Sequence, residues 1–401
     1  VGCDPLAAGS RIDAGLAFGL IWAGFLAYLG VLVLAPRIGG RAIGALIVVA
    51  VLAFACAPVL LSHDAFSYVD YARLGVSHGL DPYVNAPDAA PADPAFAHVT
   101  WTETPSAYGP LFTLATYPLA WLPIWLAVAA LKAVAAASVL GLAWVVARLA
   151  AWRGVDSARA AAFVALNPLV LVHVVGGAHN DGLAMLLAMI GVAALLVRRD
   201  ASAGASLVAS AAIKSSSLFV APFALVATLR TSMLMGRKLD KWASFRPTNL
   251  AMRRGARGPL RGLLLGALAA AVVIGAAGYL AFGWEWLHAF GLARENQGRT
   301  SHMSIPVTFA RLTAIDESAA RVAALAIFGA AVLWLLAWTW RGGDWIRAAA
   351  WAGTGLLLAT SWLLPWYLVW PLPLAAVARD RALAFVLLAL TAYQLGARIP
   401  L

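Results

Sequence analysis

Asp64 stands where an apolar run gives way to a polar one, directly after His63. A carboxylate at that depth is partly desolvated, which raises its pKa and its strength as a proton acceptor. The competing reading of this feature alone is an interfacial cap on a helix end. The polar stretch Ser62 to Pro110 is acidic: between Asp64 and Tyr108 lie Asp64, Asp70, Asp81, Asp88, Asp93 and Glu103 against the single arginine Arg73. Further polar clusters are Asp81-Pro82-Tyr83, Tyr108-Gly109-Pro110, His179-Asn180-Asp181, Lys214 with three serines after it, and the arginines Arg294, Arg299 and Arg311. A base for a hydroxyl and cations for a departing phosphate are what displacement at a sugar carbon requires.

The elements that must hold these groups are membrane helices. Hydrophobic residues make up 63% of the 401-residue chain and charged ones 12%, with a mean hydropathy of +0.84. That composition belongs to an integral membrane protein, expected to be all-α and polytopic. A span takes roughly 20 apolar residues, which leaves room for about a dozen. Most of the net charge of +11 lies in short loops between spans; it reports topology, and nucleic acid is not expected as a partner. Cys3 and Cys56 form no framework, and no metal-ligand spacing or glycine-rich phosphate loop is present, so no metal or cofactor is expected. The chain opens without Met, and a segment or span upstream of Val1 is expected.

Positive residues mark the cytoplasmic side. Spans at 14–35 and 43–61 flank Arg37 and Arg41, which puts those arginines inside and the 63–109 loop outside. In that loop, 65–77 reads as an amphipathic helix lying along the interface, with Phe66, Val69 and Leu74 apolar. Residues 111–121 are too short to span and are broken by Pro118 and Pro123. The span at 124–146 carries Lys132, expected to snorkel outward. Segment 160–175 is interrupted at Asn167-Pro168 and delivers His179-Asn180-Asp181 to the outer face. In 204–229, arginines at both ends require a pair of broken helices meeting at Lys214. Residues 230–261, with nine basic residues against Asp240, form the clearest cytoplasmic loop. A second external loop at 283–318 follows, and then kinked spans around Pro365-Trp366-Tyr367. The whole chain, 1–401, reads as one transmembrane domain.

All the polar clusters fall on the outer face, where neither ATP nor a nucleotide sugar is available. An activated donor must arrive in the membrane, and a polyprenyl-phosphate sugar meets that need. Asp64 suits the base, and Lys214, Arg294, Arg299 and Arg311 suit the phosphate. His179, Asn180 and Asp181 either cap the next helix or orient sugar or carboxylate; three polar residues exceed what a cap needs. Lys214 either snorkels or lines a polar cavity with its serines. His302 reads as a surface histidine.

The motifs HDAFSYVDYARL, DPYVNAP, SAYGPL and GGAHNDGL resemble the GT-C superfamily of membrane glycosyltransferases. More closely, they resemble the actinobacterial polyprenol-phosphomannose-dependent α-1,6-mannosyltransferases of lipomannan assembly. The resemblance is strongest over residues 62–182. It implies a GT-C-like helical bundle in the plasma membrane with interfacial helices on its large first external loop. It also implies an external active site in which Asp64 is the base of a single inverting displacement. A hydroxyl of a glycolipid or oligomannoside acceptor would attack β-mannosyl phosphoryl polyprenol, giving an α-mannoside and polyprenyl phosphate. Tyr68, Tyr83 and Tyr108 would line the sugar site, with His63 and Asp81 beside it, while Lys214 and the arginines bind phosphate. The alternatives are another polyprenyl-phosphate sugar, a phosphatidylinositol mannoside acceptor, or a lipid or sugar transporter.

Overall fold

The computed structural model describes residues 14–243, 258–295 and 298–397, and among them every regular element is helical. Helices α1 (Ala14–Ile38) and α2 (Gly40–Cys56) follow one another with only Gly39 between them. On α2 the buried residues Ile43, Ile47 and Val51 recur every four positions, so one stripe faces protein while the rest stays apolar and exposed. Helix α3 (Asp64–His78) follows, and α4 (Pro110–Thr116) continues as a 3₁₀ turn to Trp121. The longest element, α5 (Ile124–Trp152), packs against α2, α6 (Ser157–Ala165) and α7 (Asp181–Leu196). The second half comprises α8 (Asp200–Ile213), α9 (Ala221–Ala243), α10 (Gly258–Phe282), α11 (His288–Glu295) and α12 (Ile305–Thr313). It ends with α13 (Glu317–Trp340), α14 (Trp345–Ala359), α15 (Leu372–Val377) and α16 (Arg381–Ala397).

Among the described residues five helical stretches are long and apolar enough to cross a membrane: 18–38, 124–152, 215–235, 258–282 and 317–340. Shorter apolar helices (α2, α7, α8 and α16) lie beside them. The expected break at Asn167-Pro168 is present. Proline cannot continue the helix, and α6 is followed at 63° by a π-helical turn, Val170–Gly176. The expected break at Lys214 is present too: the lysine is extended (φ −151, ψ 119) between α8 and a 3₁₀ turn, Ser215–Val220. α8 crosses α10 at backbone contact distance. A Cβ on Gly266 would sit 1.9 Å from the Ala201 carbonyl, so the crossing depends on glycine.

Two expectations are corrected. Helix α3 is not amphipathic in its surroundings: its polar and its apolar side are both covered over its first half. Asp64 through Ala72 are all buried, because α4, the 3₁₀ turn after it and α5 pack around the helix. Lys132 does not snorkel. It is 1% exposed, and its ammonium donates to the carbonyls of Ala57 (2.5 Å), Pro58 (3.0 Å) and Gly176 (3.0 Å). The end of α2 leaves carbonyls without intrahelical partners, and three donors meeting three acceptors satisfies this buried charge better than a long reach to water. Lys132 thereby ties the segment that leads to Asp64 to the segment that leads to His179.

The two ends of the bundle differ. At one end Arg153 pairs with Asp344 and donates to the Val377 carbonyl, and Arg347 and Trp351 donate to Asp380. At the other end α3, the first long loop and the breaks at Gly176 and Lys214 surround a cavity. Residues 244–257, the middle of the basic 230–261 segment, lie outside the described residues.

Candidate functional site

The cavity encloses about 270 Å³, and its walls include Asp64, Trp101, Tyr108, Lys214, Arg299 and Trp366. Its members come from five separated stretches of chain, brought together by helix ends and breaks. Asp64 is the first residue of α3, where a carboxylate is favoured by the helix dipole. Tyr108 is placed by its neighbours: the Gly109 N–H donates to the last carbonyl of α8, that of Ile213, at 3.1 Å. A Cβ on Gly109 would lie 2.1 Å from the Ala212 carbonyl, so only glycine permits this approach, and Pro110 then starts α4. The contact sets the Tyr108 ring 5.8 Å from the Lys214 ammonium.

Each carboxylate of the site has assigned partners. The Trp101 indole N–H donates to Asp64 Oδ1 at 3.2 Å, and His179 Nδ1 lies 3.5 Å from Oδ2. The His179 ring is fully buried and stacks on Trp366 at 3.9 Å. Burial pushes the Asp64 carboxyl above the usual carboxylate range; the nearby Lys214 charge and the Trp101 hydrogen bond oppose that rise, and Asp181 adds to it. Asp181, also fully buried, accepts from Lys214 Nζ and from the Trp370 indole N–H, both at 2.7 Å. The capping reading of Asp181 is therefore corrected: both of its oxygens turn to side chains, and α7 begins without a side-chain cap. The snorkelling alternative for Lys214 is excluded as well, because its ammonium bonds inward and sits 5.7 Å from the Tyr367 ring.

Of the other residues singled out from the sequence, Arg299 lies in the wall of the cavity and His63, Tyr68, Asp81, Tyr83, Asn180 and Arg311 do not. His63 is exposed and bonds Thr100 at 3.0 Å. Tyr68 is buried with its ring edge-on to Tyr108 (4.8 Å) and Phe112 (4.9 Å). Asp81 accepts from the Tyr83 N–H and makes a turn, and the Tyr83 hydroxyl donates to the Tyr108 carbonyl at 2.9 Å. The pair braces the tyrosine that lines the cavity. Asn180 is buried, and its side-chain amide has no hydrogen-bond partner among the described residues. Arg299 lies in the wall, 5.2 Å from the Trp101 ring and 5.9 Å from that of Trp362. Arg311 is exposed, 3.5 Å from exposed-side His302 and outside the wall. The side chain of Arg294 is outside the described residues.

Trp101, Trp362, Trp366, Tyr367 and Trp370 are the functional candidates that sequence reasoning missed. The available signal was a high tryptophan content, 17 in all and many at the ends of apolar runs, which an aromatic belt at the membrane surface accounts for equally well. Among the described residues no three His, Cys, Asp or Glu side chains converge as metal ligands would.

Comparison with known proteins gives one consistent result. Residues 10–230, more than half of the chain, match a family described as alpha-(1->6)-mannopyranosyltransferase, N-terminal domain. An alpha-(1->6)-mannopyranosyltransferase of Mycobacterium tuberculosis is 30% identical over 80% of this chain and 63% of its own length. The A enzyme of that name from the same organism is 29% identical, with the same coverage. A probable alpha-(1->6)-mannopyranosyltransferase of Mycolicibacterium smegmatis is 31% identical over 80% of this chain and 62% of its own. The chain thus spans less than two thirds of the length of these curated relatives. No solved structure matches.

Proposed function

The chain belongs to the alpha-(1->6)-mannopyranosyltransferase family, and from that premise we propose that it transfers mannose from a polyprenyl-phosphate donor to a hydroxyl of a mannosylated glycolipid. The observation that carries the proposal is the meeting of a desolvated carboxylate and cationic side chains in one cavity at the end of a helical membrane bundle. Asp64 is the base. Its burial favours proton uptake, so at the moment of attack it removes the proton of the acceptor hydroxyl. The oxygen then bonds to the anomeric carbon as the carbon–phosphate-oxygen bond breaks on the opposite face, which inverts the centre. The electron pair leaves on the polyprenyl phosphate.

Arg299 is the cation for that phosphate. A ring-face contact holds a guanidinium without consuming its N–H donors, which fit phosphate oxygens. Lys214 adds its charge from the floor of the cavity, where Asp181 has already fixed its direction. Tyr108, Tyr367 and Trp366 offer ring faces and hydroxyls to the sugar. The cavity opens on the external side of the plasma membrane, where donor and acceptor are both lipid-borne.

The test is purified protein in lipid with labelled polyprenyl-phosphomannose and an oligomannoside. The expected products are an extended α-mannoside and free polyprenyl phosphate. Movement of intact donor across the bilayer without cleavage would instead make the protein a transporter.

A further inference from the structure

Trp101 joins two parts of the cavity that are far apart in sequence. Its indole N–H points at Asp64 Oδ1, at 3.2 Å. Its ring packs 6.3 Å from Trp362, and the Arg299 guanidinium lies against both rings. Trp362 and Arg299 are themselves fixed. Ser301 next to Arg299 donates from its N–H to the Ser361 carbonyl (2.9 Å) and from its hydroxyl to the Leu363 carbonyl (2.8 Å). The Leu363 N–H donates back to that hydroxyl at 3.1 Å, and the Ser304 hydroxyl donates to the Thr360 carbonyl at 3.0 Å. The indole is thus supported on a rigid back wall while its polar edge meets the carboxylate. A tryptophan at a membrane surface normally turns its N–H to water or headgroups; this one spends it on a buried acid.

We infer that Trp101 is a positioning residue for the transfer: its N–H holds Asp64 Oδ1 and so fixes the rotation of the carboxylate that receives the acceptor's proton. The inference rests on the reading of Asp64 as base. A carboxylate free to turn about its Cβ–Cγ bond presents either oxygen, whereas one donor on Oδ1 fixes which lone pairs face the acceptor. The same donor stabilises the ionised form, which the base needs before attack. Other groups act on that ionisation. They are Lys214 from the break after α8, Asp181 from α7 and Ser62 just before α3; His179 from the turn before α7, Tyr68 and Tyr71 on α3, Tyr108 from the loop and Arg299 behind the indole surround them. A change confined to Trp101 leaves all of these in place.

The experiment compares wild type, Trp101→Phe, Trp362→Phe and Asp64→Asn by the pH dependence of turnover and by donor KM. Phenylalanine at 101 keeps a ring face for Arg299 and loses only the N–H donor. Turnover of Trp101→Phe is expected to fall about tenfold near neutral pH. Its acid limb should move up by about one pH unit, the equivalent of one lost hydrogen bond to a charged acceptor. Donor KM should stay within about twofold, since a phenyl face at 101 and the Trp362 ring still support Arg299. The position of the limb does not depend on the folded fraction, so a partly destabilised variant still reports. An unmoved limb in Trp101→Phe overturns the inference, as does an equal shift in Trp362→Phe, which would assign the effect to ring packing. An Asp64→Asn enzyme that keeps the wild-type limb shows that the limb belongs to another group, and then the reading of Asp64 as base has failed beneath it.

Discussion

The two walls of the cavity are built in opposite ways. On the side formed by residues 62–181, Asp64, Asp181 and Lys132 are buried and committed to named partners. Asp64 is held by Trp101, Asp181 by Lys214 and Trp370, and Lys132 by three carbonyls. On the side of the 283–318 segment, Arg299 in the wall is held by ring faces, and Arg311, outside the wall, lies exposed beside His302. A buried charge with a committed partner fixes geometry but has little attraction left for a ligand; a cation on an aromatic face keeps its donors. In the proposed transfer, that difference gives the first wall the task of directing the attack and the second the task of receiving the anion.

The largest departure from that division would come from Lys214. Lys214→Met leaves the fully buried Asp181 without its cation, which should cost about 3–5 kcal/mol of stability, read as a lower Tm. The double variant Lys214→Met/Asp181→Leu removes both charges and should recover most of that loss. If the recovered protein binds donor normally, Lys214 belongs to the scaffold; a donor KM raised as far as in an Arg299 variant would move Lys214 to the anion-binding wall and blur the comparison.

Arg299→Met keeps the stem against the tryptophans and removes the charge. Loss of a charge-assisted hydrogen bond to phosphate is worth about 1.5–3 kcal/mol, so donor KM should rise about 10- to 100-fold while Tm changes little. Arg311→Met, in contrast, should leave KM within about twofold, because Arg311 is outside the cavity wall. Equal effects at the two positions would mean that the phosphate lies on the surface of the loop.

A smaller effect is expected at Asp70, on the committed wall. Asp93, bonded by Arg73 (2.8 Å) and His78 (2.7 Å), is pushed up by burial but brought below the usual range by those partners. Beside it, burial and the Asp93 charge push Asp70 up to about 7. A carboxyl with a raised folded-state pKa contributes fully at pH below its unfolded value near 4, and that contribution fades as pH rises towards 7. Asp70→Asn stays neutral throughout, so its Tm relative to wild type should increase between about pH 4 and pH 7 and then level off. A flat difference over that range would mean that Asp70 is ionised in the fold.

The sequence was most legible where local rules apply. Asn167-Pro168 announced one helix break, since proline cannot continue a helix, and the arginines at both ends of 204–229 required another at Lys214. The motifs around Asp64, Tyr108 and His179 pointed to one end of the bundle. Partnership between distant residues was not legible. Asp181 and Trp370 are 189 positions apart and meet only because α7 packs against the kinked turn at Pro365–Val369. Lys132 was misread for the same reason: snorkelling is the ordinary solution for a lysine on a single helix, and its three carbonyls come from other segments. Trp101 could be told from a membrane-surface tryptophan only by where its N–H points.

The central claim is that Asp64 removes the acceptor's proton during an inverting transfer of mannose. Its most direct test is a single turnover with β-configured polyprenyl-phosphomannose, wild type beside Asp64→Asn. The anomeric configuration of the product is read by NMR, and both proteins are checked by melting curves. Wild type should give the α-mannoside. The variant, unable to accept a proton but similar in size, should bind both substrates and react about 10²- to 10⁴-fold more slowly at unchanged Tm. A β-mannoside from wild type, or a well-folded Asp64→Asn that turns over at the wild-type rate, would contradict the account.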